Sequence, residues 1–248
     1  MRALATLLPI AQGDGFEIRE RGESGTACEQ LNDTVCLGWA WENADRWVTP
    51  TLEHLVLVGV SVAAGFVIAL GLAILSHRRR WLMPAFLGTT GVIYTIPSIA
   101  LFLLLLPISG RGTTTALIAL TLYTLQIIYR NMVTGLANVP SAARDAGRGM
   151  GMTDRQLLWR VELPLAVPEI IAGLRIATVS TVAIATLAVF AGGGGLGDVI
   201  YTEGVQGGVF KTAIVVGSVL AIGMAIAFDV IYIGAQRLLS PWRQVRPI

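Results

Sequence analysis

Apolar residues gather into five long runs, at about 53–76, 83–107, 113–136, 167–191 and 212–236, separated by short polar breaks and one long polar segment. A helix of roughly 20 apolar residues crosses a hydrocarbon core. Inside lipid only helices and closed barrels satisfy their own backbone. The runs do not alternate apolar with polar positions, so helices are predicted rather than barrel strands. The pattern therefore predicts an all-α, polytopic membrane protein of about five transmembrane helices. Pro97 stands inside the second run and predicts a kink there, and Pro107 marks its end. Trp39, Trp41 and Trp47 stand just ahead of the first run. Tryptophans in that place form an interface belt or pack within a small N-terminal cap.

Composition agrees with this picture. Of the 248 residues 54% are hydrophobic and 14% charged, with a mean hydropathy of +0.68; a soluble domain carries about 25% charged residues. Net charge is +2, and residues 1–53 hold nine acidic against four basic residues. No basic surface for nucleic acid is indicated. Arg78, Arg79, Arg80, Arg144, Arg148, Arg155, Arg160, Arg237, Arg243 and Arg246 fall on one side if the 77–82 loop, the 137–166 loop and the C-terminus share it. The other side's short loops hold Arg111 and Lys211. The positive-inside rule makes the first side cytoplasmic and, with five spans, puts the N-terminus outside.

The apolar stretch within residues 1–12, broken by Pro9, is short even for the core of a secretory signal. Residues 13–45 are polar and glycine-bearing and read as a loop or irregular cap. Cys28 and Cys36 are the only cysteines. An extracytoplasmic position makes a disulfide between them plausible, and two free thiols fit the spacing equally. His54 and His77 stand at opposite ends of the first span, so no metal-ligand cluster and no histidine pair for catalysis arises.

The long polar segment 137–166 carries the most specific signal. Pro140 and Ser141 start a helix, and Gly149 and Gly151 break it. Thr153 stands three residues before Gln156, the spacing of a capping box for a second helix. Pro164 is expected to end that helix near Leu163. The result is a small two-helix knob projecting from the membrane.

At these residues the chain resembles the permeases of bacterial ATP-binding cassette importers. Their loop reads Glu-Ala-Ala, three residues, Gly, nine residues, Ile, any residue, Leu-Pro. Here Asp145, Ala146 and Gly147 occupy the first three places, Gly151 the glycine, and Val161-Glu162-Leu163-Pro164 the end. Asp145 is one methylene shorter than glutamate, and Gly147 in place of alanine loosens a helix by about 1 kcal/mol. The stretch from Arg148-Gly-Met-Gly-Met-Thr through Val161-Glu-Leu-Pro-Leu-Ala to Ala172-Gly-Leu-Arg-Ile-Ala-Thr-Val looks like the osmoprotectant branch. Thr95-Ile-Pro-Ser-Ile-Ala-Leu and Gly193-Gly-Gly-Leu-Gly-Asp are similar to it too. The resemblance implies a permease domain over 53–240, an extracytoplasmic cap over 1–52 outside it, and a cytoplasmic tail at 241–248. It also implies that Asp145, Ala146, Gly147, Gly149, Gly151, Leu163 and Pro164 couple the chain to an ATPase. The implied partners are cytoplasmic ATPase subunits carrying ATP and magnesium, a second permease subunit of the same or a sister chain, and an extracytoplasmic binding protein that delivers glycine betaine, carnitine or choline. The implied setting is the bacterial inner membrane. Permeases for other small solutes such as methionine share the loop, and a non-transporting scaffold or sensor that docks an ATPase is a further reading. Independently of any family, the one lysine, Lys211, follows Phe210, so a Gly-x-x-x-x-Gly-Lys-Ser/Thr phosphate loop is excluded.

Further candidates lie within the spans. Asp229 sits inside the fifth run, on one helix face with Gly217, Ala221 and Ala225. Intramembrane carboxylates are costly without a partner, and Arg175 in the fourth run lies at similar depth. An Arg175–Asp229 pair tying the two spans together is expected, with a structural role ahead of a transport role. Gly193, Gly194 and Gly195 either line a closely packed gate or form a plain flexible loop. Tyr94 and Pro97 are pathway candidates. Tyr94 and Tyr123 offer faces for cation–π contact, with packing or an interfacial place as the other reading.

Overall fold

The computed structural model describes residues 34–206 and 208–240. The possible signal segment, Cys28 and the 241–248 tail lie outside the described residues. Every regular element described is helical: α1 (Leu37–Glu42), α2 (Asp45–Arg78), α3 (Leu82–Thr95), α4 (Ser98–Ser109), α5 (Thr113–Ala137), α6 (Ser141–Gly149), α7 (Asp154–Leu157), α8 (Leu163–Ala185) and α9 (Lys211–Leu239). A π-helical turn at Leu158–Glu162 joins α7 to α8, and a 3-10 turn at Thr186–Ala191 continues α8. A second π-helical stretch covers Asp198–Gln206.

α5 is the hub. It packs against α2 on one side and α8 on the other, and α9 lies beside α8. The main core follows from this order: Leu57, Val58 and Val62 of α2 meet Ala116, Leu120, Tyr123 and Ile128 of α5, and Ala177, Val182 and Ala185 of α8. Gly65 on α2 faces Thr124 on α5 with no room for a Cβ, which is why these helices approach so closely. The outward faces carry exposed Val67, Ile68, Val92, Leu104, Val219 and Ile226. Such surface is costly in water and neutral in lipid.

Among the described residues four helices are long and apolar enough to cross a membrane: α2, α5, the continuous 38-residue helix Asp154–Ala191, and α9. The fifth span is broken. α3 and α4 meet at 99°, a far sharper turn than the kink expected at Pro97. Ile96 takes an extended conformation (φ −66°, ψ 130°), as the residue before proline prefers, and Pro97 supplies no N–H to bridge the gap. The ends of this bent pair settle its path. It starts beside His77 and Arg80, which share a cavity with Arg144. It finishes at Gly112, whose N–H donates to Ala191 O (2.7 Å) at the opposite end of the bundle. The pair therefore runs from one end of the bundle to the other, so that the described residues pass along the bundle five times.

The tryptophans divide between the two expected roles. Trp39 and Trp47 pack edge-on, and Trp39 also meets Phe210; Trp47 Nε1–H donates to Ala40 O (3.1 Å). They close a small cap over α9, whereas Trp41 is 85% exposed as a belt residue is. Cys36, in the same cap, is disulfide-bonded.

Candidate functional site

The knob forms as its capping chemistry dictates, with one difference. α6 ends in a Schellman motif: Met152 N–H donates to Gly147 O (3.1 Å) and Gly151 N–H to Arg148 O (2.9 Å). Gly151 is the left-handed residue this motif requires, at φ +75°. Thr153 then starts α7 with a complete capping box; Gln156 N–H donates to Thr153 Oγ1 (3.3 Å) and Thr153 N–H to Gln156 Oε1 (2.9 Å). Pro164, expected to end the second helix, does not. The π-helical turn ahead of it, in which Leu163 N–H donates to Leu158 O, shifts the hydrogen-bond register so that the missing proline N–H is absorbed as a bulge. The second helix of the knob and the fourth span are thus one rod. Asp145, Ala146, Gly149 and Gly151 are exposed on the knob, with Met150 at its tip. Gly147 is buried instead: a Cβ there would lie 2.6 Å from Leu157 Cδ1. The glycine that weakens α6 also lets it sit against α7.

A buried ionic cluster ties the knob to the bundle. Glu162 is 3% exposed. Arg144 Nε–H donates to its Oε1 (2.8 Å), and Arg144 Nη2 donates to Leu136 O (2.5 Å) at the end of α5. His77 Nε2 lies 2.9 Å from Glu162 Oε2, close enough for an ion pair but not aligned as a hydrogen bond. One carboxylate thus gathers α2, α5, α6 and the base of the rod. Sequence reasoning named these three residues without bringing them together; the only trace of the cluster was an acid between Val161 and Leu163 on an otherwise apolar helix face.

The break at Ile96–Pro97 lies beside the middle of α5. Tyr123 O–H donates to Ile96 O, supplying a partner to a carbonyl the helix break leaves free. Tyr94 packs edge-on against Tyr123 (centroids 5.6 Å apart, planes at 71°) and is 41% exposed. Tyr94, Pro97 and Tyr123 are therefore brought together. Gly193–Gly195 lie elsewhere, at the end of the bundle away from the knob.

That glycine segment is pinned. Gly194 and Gly195 have φ of +77° and +80°. Gly195 N–H donates to Glu53 Oε2 (3.0 Å), and Leu196 N–H donates to His54 Nδ1 (3.3 Å). The second bond leaves the ring proton on Nε2, which faces Val182 O at 3.1 Å. Gly193 packs where a Cβ would lie 2.6 Å from Ala116 Cβ. Nearby, burial and the Glu53 carboxylate push the Asp198 carboxyl above its ordinary value. A flexible loop is not what these contacts describe.

Residues 61–245 match the family model described as binding-protein-dependent transport system inner membrane component. The chain belongs to this family. Its similarity to osmoprotectant import permease protein OsmW of Salmonella typhimurium is 36% identity, over 81% of this chain and 94% of that protein. Choline transport system permease protein OpuBB of Bacillus subtilis is 33% identical, over 80% and 91%. Among solved structures, a chain of the MetNI methionine ABC transporter in an inward-facing conformation superposes with a TM-score of 0.73 at 24% identity, covering 83% of this chain and all of that one; this likeness concerns the fold. Family membership sets the chain in a multi-pass membrane component of a system that depends on a binding protein.

In this inner membrane component Arg175 and Asp229 meet as a two-pronged pair. Arg175 Nη2 donates to Asp229 Oδ2 (2.9 Å) and Nε to Oδ1. Thr178 O–H to Tyr232 (3.1 Å) and Gln236 Nε2 to Pro168 O (3.3 Å) complete a polar seam between α8 and α9. A structural role for the pair predicts that Asp229→Leu and Arg175→Leu each lower the yield of folded protein, and that the double variant recovers most of it. Size-exclusion profiles of fluorescently tagged protein check this. Full folded yield from both single variants, with transport lost, would assign the pair to transport.

Proposed function

We propose that this chain is the permease subunit of an ATP-driven importer for osmoprotectants, small quaternary ammonium solutes such as glycine betaine, carnitine and choline. The observation that carries this reading is the set of relatives named for such cargo at 32–36% identity over about four fifths of the chain. The knob supports the mechanism. Its exposed face, Asp145, Ala146, Gly149 and Met150, docks in a groove of a separate ATPase subunit that binds ATP and magnesium. Arg78, Arg79, Arg80, Arg144, Arg148, Arg155 and Arg160 crowd the knob end, which makes that end cytoplasmic and the glycine end extracytoplasmic.

Because α7 and the fourth span form one rod, motion of the knob passes directly to the bundle. Closure of the ATPases biases a bistable membrane unit between two accesses. A second permease subunit completes the pathway, which Tyr94 and the Pro97 break line. Gly193–Gly195 close the outer mouth, where the binding protein releases cargo.

In proteoliposomes holding the complete transporter, glycine betaine with its binding protein is expected to stimulate ATP hydrolysis. Gly151→Val leaves the space around it open but forces a branched residue to φ +75°, a penalty of about 1–2 kcal/mol. That lowers the population of the docked knob, and with it the stimulated rate, by roughly 5–30-fold. Stimulation by methionine and not by quaternary ammonium solutes would replace the cargo assignment.

A further inference from the structure

Two cavities adjoin between the knob and the membrane ends of α2, α3 and α5, sharing His77, Arg80 and Arg144. The outer one, about 560 Å³, is cationic. Besides Arg144, which Glu162 engages, Arg78, Arg80, Arg148 and Arg155 line it, and none of these four has a carboxylate within ion-pair distance among the described residues. Its acids are Glu162, already held by Arg144 and His77, and Asp154 at the start of α7. The inner cavity, about 330 Å³, is walled largely by Ala73, Met83, Val133 and Leu136. Trp81 and Trp159, next in sequence to the lining residues Arg80 and Leu158, are 71% and 50% exposed, as tryptophans at a membrane interface are.

A cationic vestibule opening on an apolar slot, at headgroup depth, matches one ligand chemistry. We propose that this double cavity binds an anionic phospholipid, with its phosphate among Arg78, Arg80, Arg148 and Arg155 and the start of an acyl chain in the slot. A free anion has no use for the slot. An acidic protein surface has no means of entering it. The bound lipid would bridge the end of α2 to α6 and α7, so its place is under the knob that couples to the ATPase.

The test uses purified full-length protein, delipidated in detergent and titrated with dioleoyl phosphatidylglycerol or dioleoyl phosphatidylcholine, with bound lipid counted by native mass spectrometry. Phosphatidylglycerol is expected to bind about tenfold or more tightly than phosphatidylcholine. Arg80→Gln with Arg148→Gln should bring the two lipids level, as should Arg78→Gln with Arg155→Gln; all four side chains are exposed, and an unchanged thermal midpoint verifies the fold. Ala137→Trp, at the exposed rim of the slot, should weaken phosphatidylglycerol several-fold. Equal binding of the two lipids by the unaltered chain, or selectivity that survives both pairs of substitutions, overturns the proposal. Displacement of phosphatidylglycerol by millimolar inorganic phosphate would identify a free-anion site instead. Loss of the lipid when the ATPase subunits assemble would assign the arginines to that protein partner, and both results also overturn it.

Discussion

Arg144→Met is expected to destabilise the protein by about 3–5 kcal/mol, the cost of removing one partner from a buried ion pair. The reason lies with the group left behind. Glu162 stays 3% exposed with its carboxylate out of water, and the guanidinium that satisfied its Oε1 is gone. The bond from Arg144 Nη2 to Leu136 O disappears as well, so the C-terminus of α5 loses its cap. Methionine preserves the packing of the arginine stem, which confines the loss to charge and hydrogen bonds. Adding Glu162→Leu should restore most of the stability, because an apolar pair of similar volume often serves as well as a buried ionic one. The residual deficit, about 1 kcal/mol, is the bond to Leu136. Thermal unfolding of the single and double variants in detergent measures both. A single variant as stable as the parent would mean that the cluster does not hold the knob.

Gly195→Ala is the second large effect, at about 2–5 kcal/mol. The residue's φ of +80° costs an alanine about 1–2 kcal/mol. Its Cβ would also lie 3.1 Å from His54 Nδ1 and 3.2 Å from His54 Cα. The second contact is backbone of α2, which cannot swing aside, and overpacking of this kind costs about 1–3 kcal/mol. Gly194→Ala provides the contrast. It shares the backbone penalty, but its Cβ would meet only the end of the Glu53 side chain, which can rotate away at the loss of its bond from Gly195 N–H, about 1 kcal/mol. Thermal midpoints should therefore fall further for Gly195→Ala than for Gly194→Ala. The reverse order would show that the Glu53 contact, rather than the fit against His54, fixes this segment.

Local rules of the sequence anticipated much of the molecule. The five helical passes among the described residues follow from apolar run length, and the knob's first helix, glycine stop and capping box follow from short-range chemistry that needs no tertiary information. Asp229 required a partner because lipid offers none, and the arginine at matching depth meets it. Pro164 and Pro97 were harder for one shared reason. A proline's effect depends on what its neighbours do with the freed carbonyl: a π-helical turn lets the helix pass Pro164, whereas at Pro97 the hydroxyl of Tyr123 takes up a carbonyl and the chain turns by 99°. Arg144 and Glu162 stand 18 residues apart within the knob, but their meeting with His77 was illegible because it joins the knob to a segment far away in sequence. Nothing in the spacing of a histidine closing one span and a glutamate opening another relates them. Gly147 looked like a weakness in a helix until Leu157 was found against it.

Uptake of labelled glycine betaine, choline and carnitine, compared in cells with and without this chain in a strain lacking redundant systems, tests the central claim most directly. Uptake of at least one of these solutes is expected to disappear with the chain, to return with the unaltered protein, and to return at a rate roughly 5–30-fold lower with Gly151→Val although that variant reaches the membrane. Unchanged uptake of all three without the chain would contradict the claim.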